Sequence, residues 1–269
     1  MGGAAGDHDT LAGICELMFH QYGTNSILYL SEVDHSSTGV VEYDFPSFQV
    51  LRHLPRKGFA MAFVIPNHLI PFMRCNKWRN RCGLVRFRLP CNSGGAVDTM
   101  ICGHHGGHAD ELNQSLSDLA CLIRKKPFGC RVVVTGDHNI DVLPTHPYDP
   151  WRSWENRYRR HCDRRTLLFS FCNTWGLQVN TPFVSRGQPK GKFANAAASC
   201  FSRIPLGGQE EHQLPSLLDF SSSTAADVSF VRDNFLEWHA FGDHAAHITV
   251  LSVGESISWE LAADHMELL

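Results

Sequence analysis

Short apolar segments bounded by Gly, Pro or Asn recur along this chain and constrain its fold more than any other feature. Such segments predict β-strands. The clearest covers 131–139, where three consecutive Val residues precede Thr-Gly and a polar Asp-His-Asn cluster. Apolar residues at helical spacing predict helices over 10–22, 108–125 and 163–175. Further strands are predicted at 26–32, 58–65, 83–89, 98–103, 216–223, 227–233 and 247–253.

The predicted strands outnumber the helices, and some are separated by hairpin-like spacings. This pattern favours an α/β fold over a doubly wound parallel sheet: a four-layer α/β/β/α sandwich of two mixed β-sheets with outer helices. The 269 residues, 43% of them hydrophobic, suffice for a single domain over 1–269. Residues 184–215 are rich in Gly, Pro, Ser and Gln without a period, which predicts a long surface loop.

Charge and cysteine usage exclude several classes of protein. The formal net charge is −3, which excludes a chain that binds nucleic acid through overall basicity. The ten cysteines are scattered singly and form no Cys-x-x-Cys pair, which favours a reducing, intracellular compartment. The first residues lack the pattern of a signal peptide, and no segment reaches the ~18 apolar residues of a membrane span. We therefore expect an intracellular protein without a membrane partner.

Several predicted strands end in carboxylate, amide or imidazole side chains: Glu32, Asp137 with Asn139, Asp219, and Asp243 with His244. Strand ends that converge on one rim of a sheet bring such side chains together. Carboxylate oxygens suit Mg²⁺, and an imidazole beside a carboxylate serves as a proton partner or phosphate contact. Together these groups fit metal-assisted phosphoester hydrolysis. Taken alone, Glu32 also fits a solvated strand end, and Asp137 to Asn139 also fit a turn.

The order of these motifs carries more information than any one of them. A Glu at the second strand position is followed by Gly-Asp-x-Asn, Leu-Asp-Phe and Asp-His before a final strand. In this order the chain resembles the endonuclease/exonuclease/phosphatase superfamily over residues 10–254, and is similar to non-LTR retrotransposon and apurinic-type endonuclease domains. Members usually begin with a strand that carries a metal-binding Asn. The first nine residues here contain neither, so we expect that strand to be missing.

The resemblance implies a metal site and a group that activates water. Glu32 would be the main metal ligand, and Asp243 would lie near the metal. The expected ion is Mg²⁺, with Mn²⁺ as the alternative. Asp137 would orient or deprotonate the attacking water, and Asn139 would hold both Asp137 and the phosphate.

The resemblance also implies phosphate contacts made by imidazoles. Asp219 would fix the tautomer and angle of His244, which would contact the scissile phosphate. The residue at the end of the strand before the long helix would be His104, with His105 as the alternative register. His138 replaces the aromatic residue that commonly stands between Asp and Asn, a change expected to affect packing more than chemistry.

Two segments are rich in cations. Residues 74–88 carry six Lys or Arg and no acid, and residues 151–165 carry six Arg against two acids, with aromatic residues interleaved. Cations with stacking aromatics suit a nucleic-acid backbone, although an ordinary solvated surface has the same composition. The second segment follows the Gly-Asp-x-Asn strand and is expected near the site. Its expected nucleic-acid ligands are Arg157, Arg159, Arg160, Arg164 and Arg165.

The favoured function is Mg²⁺-dependent, endonuclease-like hydrolysis of nucleic-acid phosphodiesters, with DNA favoured over RNA. The chain is expected to be a monomer with no evident protein partner. One alternative is a phosphatase of the same fold that acts on a phospholipid or a small phosphoester. The other is a catalytically inactive, truncated retroelement remnant that at most binds nucleic acid.

Overall fold

The chain folds as a mixed α/β protein. A computed structural model describes residues 8–33, 39–55, 60–90, 95–107, 111–142, 154–180, 184–186, 217–224, 231–237 and 246–251. Within them the helices are α1 (His8–Tyr22), α2 (Leu112–Ile123) and α3 (Trp154–Trp175), with a 3₁₀ helix at Asn67–Phe72. The strands are β1 (Leu28–Val33), β2 (Gly39–Asp44), β3 (Phe48–Leu54), β4 (Ala60–Pro66), β5 (Met73–Arg79), β6 (Cys82–Pro90), β7 (Ala96–His104), β8 (Arg131–Asp137), β9 (Leu177–Asn180), β10 (Val184–Arg186), β11 (Asp219–Thr224), β12 (Val231–Glu237) and β13 (Ala246–Leu251).

The described strands form three sheets. A four-stranded sheet has the order β1-β4-β3-β2, with every pair antiparallel. A six-stranded sheet has the order β5-β6-β7-β8-β11-β9, and a three-stranded sheet has the order β10-β12-β13 with β10 parallel to β12. The chain divides into two compact units. Unit 1 comprises Met1–His104, Asp118–Val134 and Leu251–Leu269, and unit 2 comprises His105–Ser117 and Thr135–Val250.

Unit 1 contains the layers of a sandwich. On one face of the four-stranded sheet, Cys15 and Phe19 of α1 pack in a core cluster with Phe48 of β3. On its other face, β3 and β4 pack against β6 in a second cluster that contains Phe63 and Phe87. Apolar side chains thus fill both interfaces of the four-stranded sheet, which explains why β4 is buried at every position.

Asp118 of α2 lies near Cys82 of β6 within unit 1. Burial raises the pKa of the Cys82 thiol, and the Asp118 carboxylate raises it further, so α2 lies against this strand. Within unit 1, α1 and β6 therefore lie on opposite faces of the four-stranded sheet. None of the described helices is both long and apolar enough to cross a membrane.

The predicted α/β sandwich class is confirmed, with differences in the elements. A third sheet is present, and the four-stranded sheet is antiparallel rather than mixed. Helix α3 begins at Trp154 instead of 163, because its first turns are charged and lack an apolar period. Strand β10 occupies the first three residues of the predicted 184–215 loop, and residues 187–216 lie outside the described residues.

Candidate active site

Strand β8 ends at Asp137, one of the predicted site residues that the structure describes in full. The Asp137 side chain is buried, and its Oδ1 accepts a hydrogen bond from the Asn139 backbone N–H at 2.9 Å. This is an Asx turn, in which a carboxylate binds the backbone two residues later. Asn139 has φ +52°, a left-handed conformation that Asn tolerates better than most non-glycine residues. The turn therefore holds the Asp137 carboxylate in a fixed position at the end of the strand.

The loop after β7 passes close to this turn. The Gly106 N–H donates a hydrogen bond to the Asp137 carbonyl at 2.9 Å, and a Cβ at position 106 would lie 1.8 Å from the His138 carbonyl oxygen. Only glycine permits this approach without movement of the backbone. His105, the alternative register to His104, lies in the same loop, where its Nδ1 accepts a hydrogen bond from the Gly107 N–H at 3.1 Å.

His138 anchors the turn to the start of β11. Its backbone N–H donates to the Leu218 carbonyl at 3.0 Å, its Nε2 donates to the Phe220 carbonyl at 3.2 Å, and its ring stacks on Phe220 at a centroid distance of 4.1 Å. Burial is the largest influence and lowers the pKa of His138 to about 4, while the bond to Phe220 and the Asp219 carboxylate act in the opposite direction. The ring is therefore neutral at pH 7, with the proton on Nε2 because a carbonyl only accepts.

Two arginines of α3 bind the loops of the site. Arg164 Nη2 donates to the Gly107 carbonyl at 3.2 Å, and Arg165 Nε donates to the Asp141 carbonyl. Burial lowers the pKa of Arg164 and the Asp137 carboxylate opposes that shift, so the guanidinium lies near this carboxylate. These predicted nucleic-acid ligands therefore also stabilise the protein. For the other three, the side chains lie outside the described residues: Arg157, Arg159 and Arg160.

Asp219, at the start of β11, interacts electrostatically with His138 and with His247. Burial lowers the pKa of His247 to about 4, and the Asp219 carboxylate opposes this shift. Sequence reasoning missed His247. The available signal was the alternation of polar residues at 247 and 249 with apolar residues in β13. Thr249 Oγ1 donates to Ser221 Oγ at 3.1 Å, so this polar face is directed toward β11.

Four further residues were predicted for the site: Glu32, His104, Asp243 and His244. Glu32 lies in β1 of unit 1, where pairing with β4 shifts register, and its side chain lies outside the described residues. His104 ends β7 in unit 1 and is fully buried. Asp243 and His244 lie outside the described residues. The roles assigned to these four residues, like those of Asp137, Asn139 and Asp219, stay predictions.

A metal site needs more ligands than the described part of the chain assembles. No group of three or more His, Cys, Asp or Glu side chains within the described residues is arranged to hold a metal ion. At the turn itself, Oδ1 of Asp137 is already engaged by the Asn139 N–H. The side chains of the predicted ligands Glu32 and Asp243 lie outside the described residues, so the metal site stays a prediction.

Solved structures of other proteins share this architecture over most of the chain. The Neisseria 3′ phosphatase NExo, bound to a product DNA hairpin, has a TM-score of 0.60 at 14% sequence identity and covers 91% of this chain and 95% of that one. A second structure, described as the 3′-5′ exonuclease NExo from Neisseria meningitidis, has a TM-score of 0.59 at 14% identity. The match covers 90% of this chain and 94% of that one. The Xenopus laevis APE2 catalytic domain has a TM-score of 0.57 at 13% identity, with coverages of 94% and 92%. The chain has the endonuclease/exonuclease/phosphatase fold.

No protein-family model and no curated protein matches the chain. The endonuclease/exonuclease/phosphatase fold was the fold predicted from the order of the strand-end motifs, and that prediction is confirmed. At identities of 13–14% the likeness is one of fold. The chemistry has to be argued from this chain's own residues.

Proposed function

We propose that this protein hydrolyses phosphoester bonds and that its substrate is a nucleic acid. One observation carries the proposal: a buried carboxylate, Asp137, is held by the Asn139 N–H with the Arg164 guanidinium nearby. A fixed carboxylate can orient and deprotonate water, and a fixed cation stabilises developing charge on a phosphate. The nucleic-acid class is supported by NExo, which shares the fold and is bound to a product DNA hairpin.

The proposed mechanism divides the roles among four residues. Glu32 and Asp243 would hold Mg²⁺, or Mn²⁺ as the alternative, and the bound ion would neutralise charge on the phosphate. Asp137 would orient the attacking water and accept its proton. Asn139 would contact the phosphate, while its backbone N–H keeps Asp137 in place.

Asp219 is the proposed positioning carboxylate for an imidazole that contacts the scissile phosphate. The proposed partner is His244. Among the described residues, the Asp219 carboxylate lies near two other imidazoles, since it acts to raise the pKa of both His138 and His247. We also propose that His104 contacts the phosphate, with His105 as the alternative.

Removal of a terminal phosphate from DNA is the second candidate function. NExo, which shares the fold, is described both as a 3′ phosphatase and as a 3′-5′ exonuclease. The same arrangement of Asp137 and Asn139 would serve either reaction, because both begin with attack of water on phosphorus.

The substrate class is tested with three substrates: a supercoiled plasmid, a 3′-phosphorylated DNA hairpin and an inositol polyphosphate. Each is incubated with purified protein in Mg²⁺ or in EDTA. We expect Mg²⁺-dependent nicking or 3′ processing that is lost in Glu32→Ala and Asp137→Ala. The matched control is Asp163→Asn, an exposed position on α3, which should retain activity.

Other outcomes would overturn the proposal. Turnover of the inositol polyphosphate alone would make the protein a phosphatase of small phosphoesters. DNA binding that weakens with salt but never leads to turnover would support the inactive remnant. Equal residual nicking in Glu32→Ala and Asp137→Ala would show a contaminating nuclease.

A further inference from the structure

A group of exposed cations lies on β5 and β6 in unit 1. Arg74, Lys77 and Arg79 of β5 and Arg88 of β6 are exposed, and we call these four residues the cationic strip. None of the four side chains forms a hydrogen bond or ion pair with another described residue. Residues 73–90 contain no Asp or Glu. The strip is therefore a positively charged surface on a chain whose net charge is −3.

The strand register places most of the strip on one face of the sheet. Lys77 pairs with Leu84 and Arg79 pairs with Cys82, and Arg88 follows on the same face of β6 because side chains alternate along a strand. Lys77 and Arg79 are two residues apart, so their Cα atoms lie about 6.6 Å apart along the strand. Arg74 lies at the irregularity between Met73 and Cys75.

Two carboxylates lie beside β6: Asp118 of α2, near Cys82, and Asp98 of β7. Asp98 of β7 lies opposite Arg88 in the register, but its carboxylate is already 3.8 Å from Arg86 Nε. On the opposite face of β5, Trp78 packs against Phe63 at a ring-centroid distance of 5.4 Å. The strip thus offers guanidinium and ammonium groups without an aromatic ring for stacking.

Protection of a sheet edge is the simplest alternative explanation. Strand β5 is the end strand of the six-stranded order, and Lys residues and bulges on edge strands discourage pairing with other chains. Charge of either sign would serve that purpose. The strip instead carries one sign only, over both β5 and its neighbour β6. A surface of one sign is complementary to an extended polyanion.

We propose that the cationic strip binds the sugar-phosphate backbone of double-stranded DNA, separately from the residues around Asp137. The choice of DNA as the polyanion rests on the proposed function. Arg guanidinium groups bind phosphate through paired hydrogen bonds, and Lys contributes a point charge. Without an aromatic ring for base stacking, the contact is independent of base sequence. The strip adds affinity and does not take part in the reaction.

The test is the salt dependence of duplex binding, measured by fluorescence anisotropy in EDTA between about 50 and 200 mM KCl. The variant is Lys77→Gln with Arg79→Gln. We expect its slope of log K against log salt to be shallower by about 2, with affinity at 100 mM lower by roughly tenfold to a hundredfold for any duplex sequence. Lys77→Arg with Arg79→Lys should keep the wild-type slope.

A matched charge control is Arg124→Gln with Lys125→Gln, two exposed cations after α2. Equal loss in both Gln pairs would mean that net charge sets the binding and would overturn the proposal. An unchanged slope in Lys77→Gln with Arg79→Gln would also overturn it.

If that variant instead forms oligomers in size-exclusion chromatography, edge protection is the role. Binding of wild type to phosphatidylserine vesicles but not to DNA would assign the strip to membranes. Because EDTA removes turnover from the assay, the proposed hydrolysis can fail while the strip proposal stands.

Discussion

The turn at Asp137 and the cationic strip are both polar, but their polar groups are held in opposite ways. At the turn, Asp137 is buried, and hydrogen bonds join it to the backbone of Asn139 and of Gly106. In the strip, the side chains are exposed and have no partner among the described residues. The interaction energy of a buried, hydrogen-bonded group depends on the distance and direction of its bonds. The contribution of an exposed cation depends mainly on its charge. Substitutions should therefore act through geometry at the turn and through charge in the strip.

Each of the two regions also contains one asparagine with an unusual backbone conformation. Among the described residues, Asn80 and Asn139 are the non-glycine residues with positive φ, at +38° and +52°. Asn80 lies in the turn between β5 and β6, and Asn139 lies in the Asp137 turn. Glycine tolerates either conformation, so Asn→Gly removes the side chain without backbone strain.

Among the paired comparisons, Asn139→Gly against Asn80→Gly has the largest expected effect. Loss of its amide should slow DNA hydrolysis by about 10²-fold, as when one stabilising donor is removed from an active site. Asn80→Gly is the matched control and should leave the rate unchanged. The rates are measured on the plasmid and hairpin substrates, with urea unfolding to confirm that both variants are folded. A wild-type rate in Asn139→Gly would remove that side chain from the mechanism.

Acid should destabilise the Asp137 region through His138. The folded-state pKa of His138 is about 4, below its ordinary value of 6.5, so between these pH values the unfolded chain binds more protons than the folded one. The free energy of unfolding should therefore fall as pH falls from 6.5 to 4, by on the order of 3 kcal/mol from this residue.

His138→Phe isolates this contribution. Phe keeps the stacking on Phe220 and cannot titrate, so its free energy of unfolding should decline less steeply between pH 7 and pH 4. A residual slope is expected because burial also lowers the pKa of His247 to about 4. Urea unfolding at several pH values measures both proteins. Parallel curves for wild type and His138→Phe would contradict the buried, neutral state of this histidine.

The smallest expected effect compares two glycines. At Gly106 a Cβ would lie 1.8 Å from the His138 carbonyl oxygen, whereas at Gly13 in α1 nothing lies within 4 Å. Gly106→Ala should lower the free energy of unfolding by about 1–3 kcal/mol, as overpacking does. Gly13→Ala should raise it by about 0.5–1 kcal/mol, because alanine favours a helix. Urea unfolding checks both values, and equal stability of the two variants would show that the close approach at Gly106 is absent.

The strands with apolar runs were predictable from sequence, and those rich in charge were not. Strand β8, with three Val residues, was predicted at its correct start. Strand β5 was interpreted only as a cationic segment, because its exposed face carries Arg74, Lys77 and Arg79. One face of β5 is exposed to solvent, so its sequence contains no continuous run of apolar residues. Pairing order was also beyond reach, since register depends on contacts distant in sequence.

At the candidate site, sequence motifs identified residue types but not their partners. The Gly-Asp-x-Asn motif indicated Asp137 and Asn139 as candidate site residues, and the structure shows a hydrogen bond between them within one turn. The predicted use of Arg164 as a nucleic-acid ligand did not anticipate its bond to the Gly107 carbonyl. The role of His247 was missed because a single polar residue in an apolar strand is a weak signal in a chain with 16 His.

The central claim is that Asp137 activates water for phosphoester hydrolysis, and Asp137→Asn tests it most directly. The substitution preserves shape and leaves a carbonyl oxygen to accept the Asn139 N–H, but it removes the base. We predict a single-turnover rate of DNA cleavage about 10²- to 10⁴-fold below wild type, with thermal stability and DNA affinity retained and with Asp163→Asn unaffected. Cleavage by Asp137→Asn at the wild-type rate would contradict the account.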